Sequence, residues 1–117
     1  MIPIPDSVLE RMMSLTPEAI TILESRYLLK DKEGNIVETP EQMCLRLARE
    51  AARAGVRYEG TRETENERVR LFYWLLVDGL FSPNSPTWMN AGTANSQNAA
   101  CFVLPVEDSL PQIFDAV

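Results

Sequence analysis

Residues 81–109 read FSPNSPTWMNAGTANSQNAACFVLPVEDS, and the reading of this stretch decides where the helical part of the chain gives way to another architecture. Pro83 and Pro86 forbid a regular helix through the loop and bias Ser82 and Ser85 toward extended backbone. One short helical turn fits residues 86–90. An amide-rich run of small residues follows. Residues 100–104, ACFVL, are then continuously apolar, the pattern of a strand buried on both faces. Pro105 ends that strand, Asp108 or Ser109 caps a last helix, and the sequence runs out within that helix at Val117.

Working back from this stretch, the chain reads as helices. Residues 1–5 form an extended, proline-containing arm, and a brief helix fits residues 6–14. Thr16-Pro17-Glu18 is a helix start, with Thr16 at the N-cap, Pro17 at the first helical position and Glu18 favoured by the dipole. Ala19, Ile22, Leu23 and Tyr27 keep helical spacing, so this helix runs to about Arg26. Leu28-Leu29-Lys30, a turn over residues 31–35 and Ile36-Val37 resemble a small hairpin. Thr39-Pro40-Glu41-Gln42 repeats the start signal as a capping box. The helix it opens keeps Met43, Leu47 and Ala51 on one face and stops near Gly55, a C-cap glycine. A third helix spans about residues 61–80. Its second half, LFYWLLV at 71–77, is apolar almost all round and expects burial between other elements. Glu63, Glu65 and Glu67 belong to its solvated face.

Composition narrows the chemistry. With 117 residues, 45% apolar and 24% charged, the chain has the make-up of a folded soluble domain. A net charge of −6 with no long basic run argues against nucleic acid or an anionic membrane as partner. A nucleotide ligand is compatible with that charge, because such sites use backbone N–H groups. No apolar run reaches the length of a membrane span, and no secretory signal is visible, so a reducing, cytoplasmic setting with two free thiols is the expectation. There is no histidine, and the two cysteines, Cys44 and Cys101, lack metal-ligand spacing; no metal site is expected, and neither Ser-His nor Cys-His catalysis can be completed from these residues.

Few side chains remain as candidates. Cys101 opens the apolar run behind a loop of hydroxyl and amide groups. It reads either as a small packed hydrophobe or as a thiol held beside a polar ligand. Cys44 sits on the amphipathic helix, where packing is the natural role. Ser85, Thr87 and Asn90 fit either as donors to a phosphate or diphosphate or as groups satisfying turn backbone.

The segment PNSPTWMNAGT, followed closely by ACFVLPVEDS and then IFDAV, resembles the large chains of ribonucleotide reductases, above all the adenosylcobalamin-dependent (class II) enzymes. Upstream, LTPEAITILESRYLLKDKEGNIVETPEQM is similar to the start of that family's N-terminal helical region. No ATP-cone pattern precedes it. The resemblance implies a mainly α fold in which residues 1–81 form a helical domain. Residues 82–117 then open the ten-stranded α/β barrel, contributing its substrate loop, first strand and the beginning of a helix. It implies that Cys101 is one of two thiols supplying reducing equivalents to the ribose 2′ carbon. The loop at residues 84–90 would hold the substrate diphosphate through Ser85 and Thr87, while Ala99 and Ala100 present backbone to the substrate. Relatives of other classes often carry serine where this chain has Ala100, which offers no hydroxyl.

The family's radical cysteine, general-base glutamate, second redox cysteine and C-terminal shuttle cysteines have no counterpart here. The resemblance therefore implies a catalytically inactive piece of a larger, homodimeric enzyme. That enzyme would use adenosylcobalamin, a ribonucleotide substrate and a thioredoxin-type reductant. The competing expectation is a stand-alone helical interaction or regulatory module without catalysis.

Overall fold

Threonine-capped starts set out the long helices. The computed structural model describes residues 4–58 and 61–116. Most of the expected N-terminal arm, and Val117, lie outside the described residues. A 3-10 turn at Asp6–Glu10 opens the fold, with Pro5 preceding it; it is shorter than the helix expected over residues 6–14. Helix α1 (Pro17–Arg26) begins where Thr16 Oγ1 accepts the Ala19 N–H at 3.2 Å. The hairpin reduces to a single antiparallel bridge between Lys30 and Ile36. Its turn is organised by Asp31, whose carboxylate accepts from Glu33 N–H, Asn35 N–H and the Asn35 amide. The Asn35 side-chain hydrogen bond leads in holding the Asp31 carboxyl below its ordinary range. Gly34 takes φ +90° at the tightest point of that turn.

Helix α2 (Pro40–Val56) carries the expected capping box. Thr39 Oγ1 accepts from Gln42 N–H at 3.3 Å, and Gln42 Oε1 accepts from Thr39 N–H at 2.8 Å. Thr39→Ala removes one half of this box and is expected to cost about 1 kcal/mol, read as a lowered urea midpoint with unchanged m value. An unshifted midpoint would mean that packing alone sets the start of α2. Gly55 does not end the helix: it lies inside α2, and Arg57 is the C-cap. Its lack of a side chain serves another purpose, since a Cβ there would sit 2.4 Å from Arg68 Nη1.

Helix α3 (Arg62–Val77) starts at a second capping box, Thr61 with Thr64. It ends three residues before the expected boundary. Gly79, at φ +68°, closes it by donating to Leu76 O at 3.1 Å, and Phe81 N–H reaches back to Leu75 O at 3.0 Å. The core lies chiefly between α2 and α3. Met43, Cys44, Leu47 and Ala48 form one stripe on α2 and meet Tyr73, Leu76 and Val77 of α3, with Leu28 and Ala91 closing the cluster. Tyr73 is buried and donates its hydroxyl to Arg11 O at 2.7 Å, so its one polar atom is satisfied. The rest of the apolar half of α3, including Phe72, Trp74 and Leu75, is only half-buried.

Helix α4 (Ser85–Asn90) and helix α5 (Leu110–Asp115) are single short turns, the latter capped by Ser109 as expected. Helix α5 closes at Asp115 with Ala116 as its C-cap. The strand expected at residues 100–104 is absent. Those residues carry no regular secondary structure and no backbone pairing, and Val103 is 96% exposed. A strand needs a neighbour to accept its ladder of hydrogen bonds, and no strand lies among the described residues. The radius of gyration, 17.8 Å, exceeds the roughly 13 Å of a compact chain of this size, as an arm standing off a helical body requires.

Candidate functional site

The loop between α3 and the exposed arm is held by polar ties that start at Asn84. This residue caps α4, its side-chain oxygen accepting from Thr87 N–H at 3.1 Å and from the Thr87 hydroxyl. Pro86 supplies a preset φ in the first turn, so a six-residue helix forms where few hydrogen bonds are available to hold it. Beyond the helix the chain folds back. Asn90 Nδ2 donates to Gln97 O at 2.8 Å, and Thr87 Oγ1 lies 3.2 Å from Asn98 O. These contacts draw the segment leading into Ala100 and Cys101 against α4.

Ser85 and Thr87 are two positions apart on a helical turn and so diverge. The Ser85 hydroxyl lies 3.2 Å from Tyr27 Oη, at a cleft lined by α1 residues and Trp88. Thr87 instead borders a cleft lined by Leu47, Ala51 and Phe72 between α2 and α3. Its hydroxyl proton is shared between Asn84 and Asn98, which leaves its oxygen lone pairs as the free capacity. Ala100 is exposed at a bend, and Cys101 is an exposed free thiol at the start of the unpaired arm. Ser85, Thr87 and Ala100 thus surround one loop without converging on one point.

The two cysteines occupy opposite environments. Cys44 has no exposed surface and its thiol lies 3.6 Å from Met13 Sδ. Burial, reinforced by the nearby Glu41 carboxylate, pushes its thiol up to about 12, so it stays protonated and serves as packing.

Sequence reasoning missed the group that fastens this loop to the helical body. Arg46 of α2 binds Glu38 in a forked pair, Nη2 to Oε1 at 2.8 Å and Nε to Oε2 at 3.1 Å. It also donates to Ala91 O and, at 3.3 Å, to Trp88 O, capturing the last carbonyls of α4. Glu38 in turn accepts Leu29 N–H at 2.9 Å. Gly92 comes so close that a Cβ would meet Arg46 Cγ at 2.9 Å, and it adopts φ +73°. In the sequence Arg46 is one of three arginines on α2, and nothing local distinguishes it. Asn84 was more legible: an Asn three residues before Thr, with Pro in the first turn, is a helix-start signal.

Among the described residues no group of His, Cys, Asp and Glu is arranged to hold a metal ion, and no helix is long and apolar enough to cross a membrane. Residues 13–96 match the family described as ribonucleotide reductase, all-alpha domain. The chain is similar to the vitamin B12-dependent ribonucleoside-diphosphate reductase of Mycobacterium tuberculosis, at 45% identity over 87% of this chain and 14% of that protein. It is 34% identical to the enzyme of the same name from Thermoplasma acidophilum, over 90% of this chain and 21% of the relative. A ribonucleoside-diphosphate reductase large subunit of African swine fever virus is 35% identical over 92% of this chain and 13% of its own length. The chain spans about a fifth or less of the length of these curated relatives. With its threonine-capped helices and its buried α2–α3 core lying within the matched residues, the chain belongs to the ribonucleotide reductases and carries their all-α domain.

Proposed function

We propose that this chain works within a larger ribonucleotide reductase that replaces the ribose 2′-hydroxyl of a ribonucleoside diphosphate by hydrogen. In that reading residues 1–81 are the helical domain and residues 82–117 open the catalytic barrel. The observation that carries it is Cys101: a free, exposed thiol on an unpaired arm, directly after a loop that hydrogen bonds hold against the helical body. The reduction breaks the C2′–OH bond, forms C2′–H and releases water. Its two electrons come from two thiols that become a disulfide, which an external dithiol of the thioredoxin type then reduces. Cys101 supplies one sulfur. Cys44 is locked in the core, so the second comes from elsewhere in the enzyme.

Ser85 and Thr87, with the backbone at Ala100, contribute to the diphosphate cradle, Thr87 by turning its hydroxyl from Asn84 and Asn98 toward the phosphate oxygens. Because they diverge around α4, substrate would draw on them together with residues outside this chain. The relatives named vitamin B12-dependent support adenosylcobalamin as the enzyme's cofactor, and a homodimer as its assembly is part of the same reading. Such a cofactor generates the radical when bound. No residue of this chain is assigned to hold it, and in this reading its site lies in other parts of the enzyme.

Two assays test this reading. In the full-length reductase, Cys101→Ser should lower dithiol-dependent deoxynucleotide formation by about a thousandfold or more, the scale on which loss of a catalytic residue acts. Substrate binding should be retained. The 117-residue chain alone, given adenosylcobalamin, dithiol and a ribonucleoside diphosphate, should form no product. Turnover by the chain alone would overturn the division of labour, and an unimpaired Cys101→Ser enzyme would overturn the role of the thiol. The exposed apolar arm at Phe102, Val103 and Leu104 favours one alternative, a non-catalytic interaction module. That alternative predicts the second result.

A further inference from the structure

A groove of about 770 Å³ runs along the edge where α2 and α3 meet, beside the 3-10 turn. The helical period explains its lining. Arg46, Arg49, Glu50 and Arg53 recur at spacings of three, four and seven on α2, while Arg62, Glu65, Val69 and Arg70 do so on α3. Packing the apolar stripes of the two helices together brings these polar stripes to face each other. Five arginines and three carboxylates border the groove, an excess of positive charge in a chain whose net charge is −6.

Ion pairs neutralise only part of that charge. Arg53 pairs with Glu50 at 2.9 Å and Arg70 with Asp6 at 2.7 Å, while Arg46 is committed to Glu38. Arg49 and Arg62 make no hydrogen bond or ion pair among the described residues. Arg70 reaches the groove with its Asp6-paired guanidinium, while its Nε is buried without a partner among the described residues.

We propose that this groove is a binding site for a polyphosphate anion. Guanidinium groups match phosphate oxygens in geometry and hold their charge at any physiological pH. Opposing arginines on two helices suit a chain of phosphates better than a single carboxylate, because several anionic oxygens must be met across the groove. The groove borders the loop at Arg46 and Gly92 but includes neither Ser85 nor Thr87, and the proposal does not depend on the reductase chemistry proposed above. The same phosphate chain is presented by a nucleoside triphosphate or by a free inorganic polyphosphate.

Calorimetric titration of the 117-residue chain with inorganic tripolyphosphate and, separately, with ATP tests the proposal. Saturable binding at one site is expected, weakening as salt rises from low to physiological strength. Arg49→Gln and Arg62→Gln should each weaken binding by about tenfold, or about 1.4 kcal/mol. Neither residue has a partner to lose, so both variants should fold normally. Arg26→Gln, on α1 away from the groove, should bind as the parent does. ATP binding more than about tenfold tighter than tripolyphosphate would assign the site to a nucleotide, and equal affinity would assign it to the phosphate chain alone. Absence of saturable binding would overturn the proposal, as would losses no greater in Arg49→Gln and Arg62→Gln than in Arg26→Gln.

Discussion

Arg46→Met is expected to destabilise the chain by about 3–5 kcal/mol, the cost of stripping one partner from a buried ion pair. Arg46 and Glu38 retain only 11% and 7% side-chain exposure. Methionine keeps much of the arginine stem but none of its donors. Glu38 would then be left in the interior with Leu29 N–H as its remaining hydrogen bond, and the carbonyls of Trp88 and Ala91 would lose their donors. For a domain whose whole stability is about 5–15 kcal/mol, this is a severe loss, readable by urea denaturation at neutral pH.

The companion change Glu38→Gln restores charge balance and keeps an acceptor for Leu29 N–H. The double variant should therefore recover a large part of the loss, the behaviour of a coupled pair. Hydrogen exchange adds a spatial check, since amides at residues 88–98 should exchange faster in Arg46→Met while those of α1 keep their protection. A single variant within about 1 kcal/mol of the parent would show that Arg46 is not the fastener of this loop.

Native chain treated with a chromogenic disulfide at pH 8 is expected to release one equivalent of reporter quickly, from Cys101. The second equivalent should follow at least about a thousandfold more slowly, from Cys44. Only the thiolate reacts, and a thiol raised to about 12 is ionised to roughly one part in ten thousand at that pH. Burial adds to the difference, because Cys44 has no exposed surface, whereas Cys101 is exposed. In denaturant the two should react alike. Cys101→Ser should abolish the fast phase and Cys44→Ser the slow one. Rates within tenfold of each other in the native chain would mean that Cys44 is not the packed residue described.

The same burial predicts a loss of stability in alkali. The folded thiol of Cys44 sits well above its ordinary value of 9.0. The stabilisation is therefore complete below pH 9, where both states keep the proton. It falls as pH rises from 9 toward about 12, because only the unfolded chain gives the proton up. Cys44→Ala should flatten this decline.

The helix starts were legible because capping is local. Thr16, Thr39 and Ser109 each act on an N–H three residues along the chain, and three residues of sequence contain all that is needed. The Thr61–Thr64 box was missed because threonine replaces the usual Glu or Gln at the third position. Gly55 misled for the opposite reason. Its missing Cβ accommodates Arg68, thirteen positions away on the next helix, and no helix-end rule contains that contact. The loop residues were identified as polar and special, but their directions were not, since Ser85 and Thr87 diverge only once α4 is built.

Residues 100–104 mark the boundary between the two kinds of information. Their apolar run by itself established that these side chains are suited to burial and that Cys101 heads them. Pairing is a property of two segments, and among the described residues no strand meets this one, so the arm is unpaired and exposed. The chain's own residues likewise determined five helical segments, their caps and the apolar stripes of α2 and α3, because propensity, capping and periodicity act over a few residues. Tertiary structure decided which cysteine is reactive, which of several arginines holds the loop, and which others line an open groove. Each of those outcomes depends on desolvation and on partners brought together from distant positions, as Arg46 is with Glu38, Trp88 and Ala91.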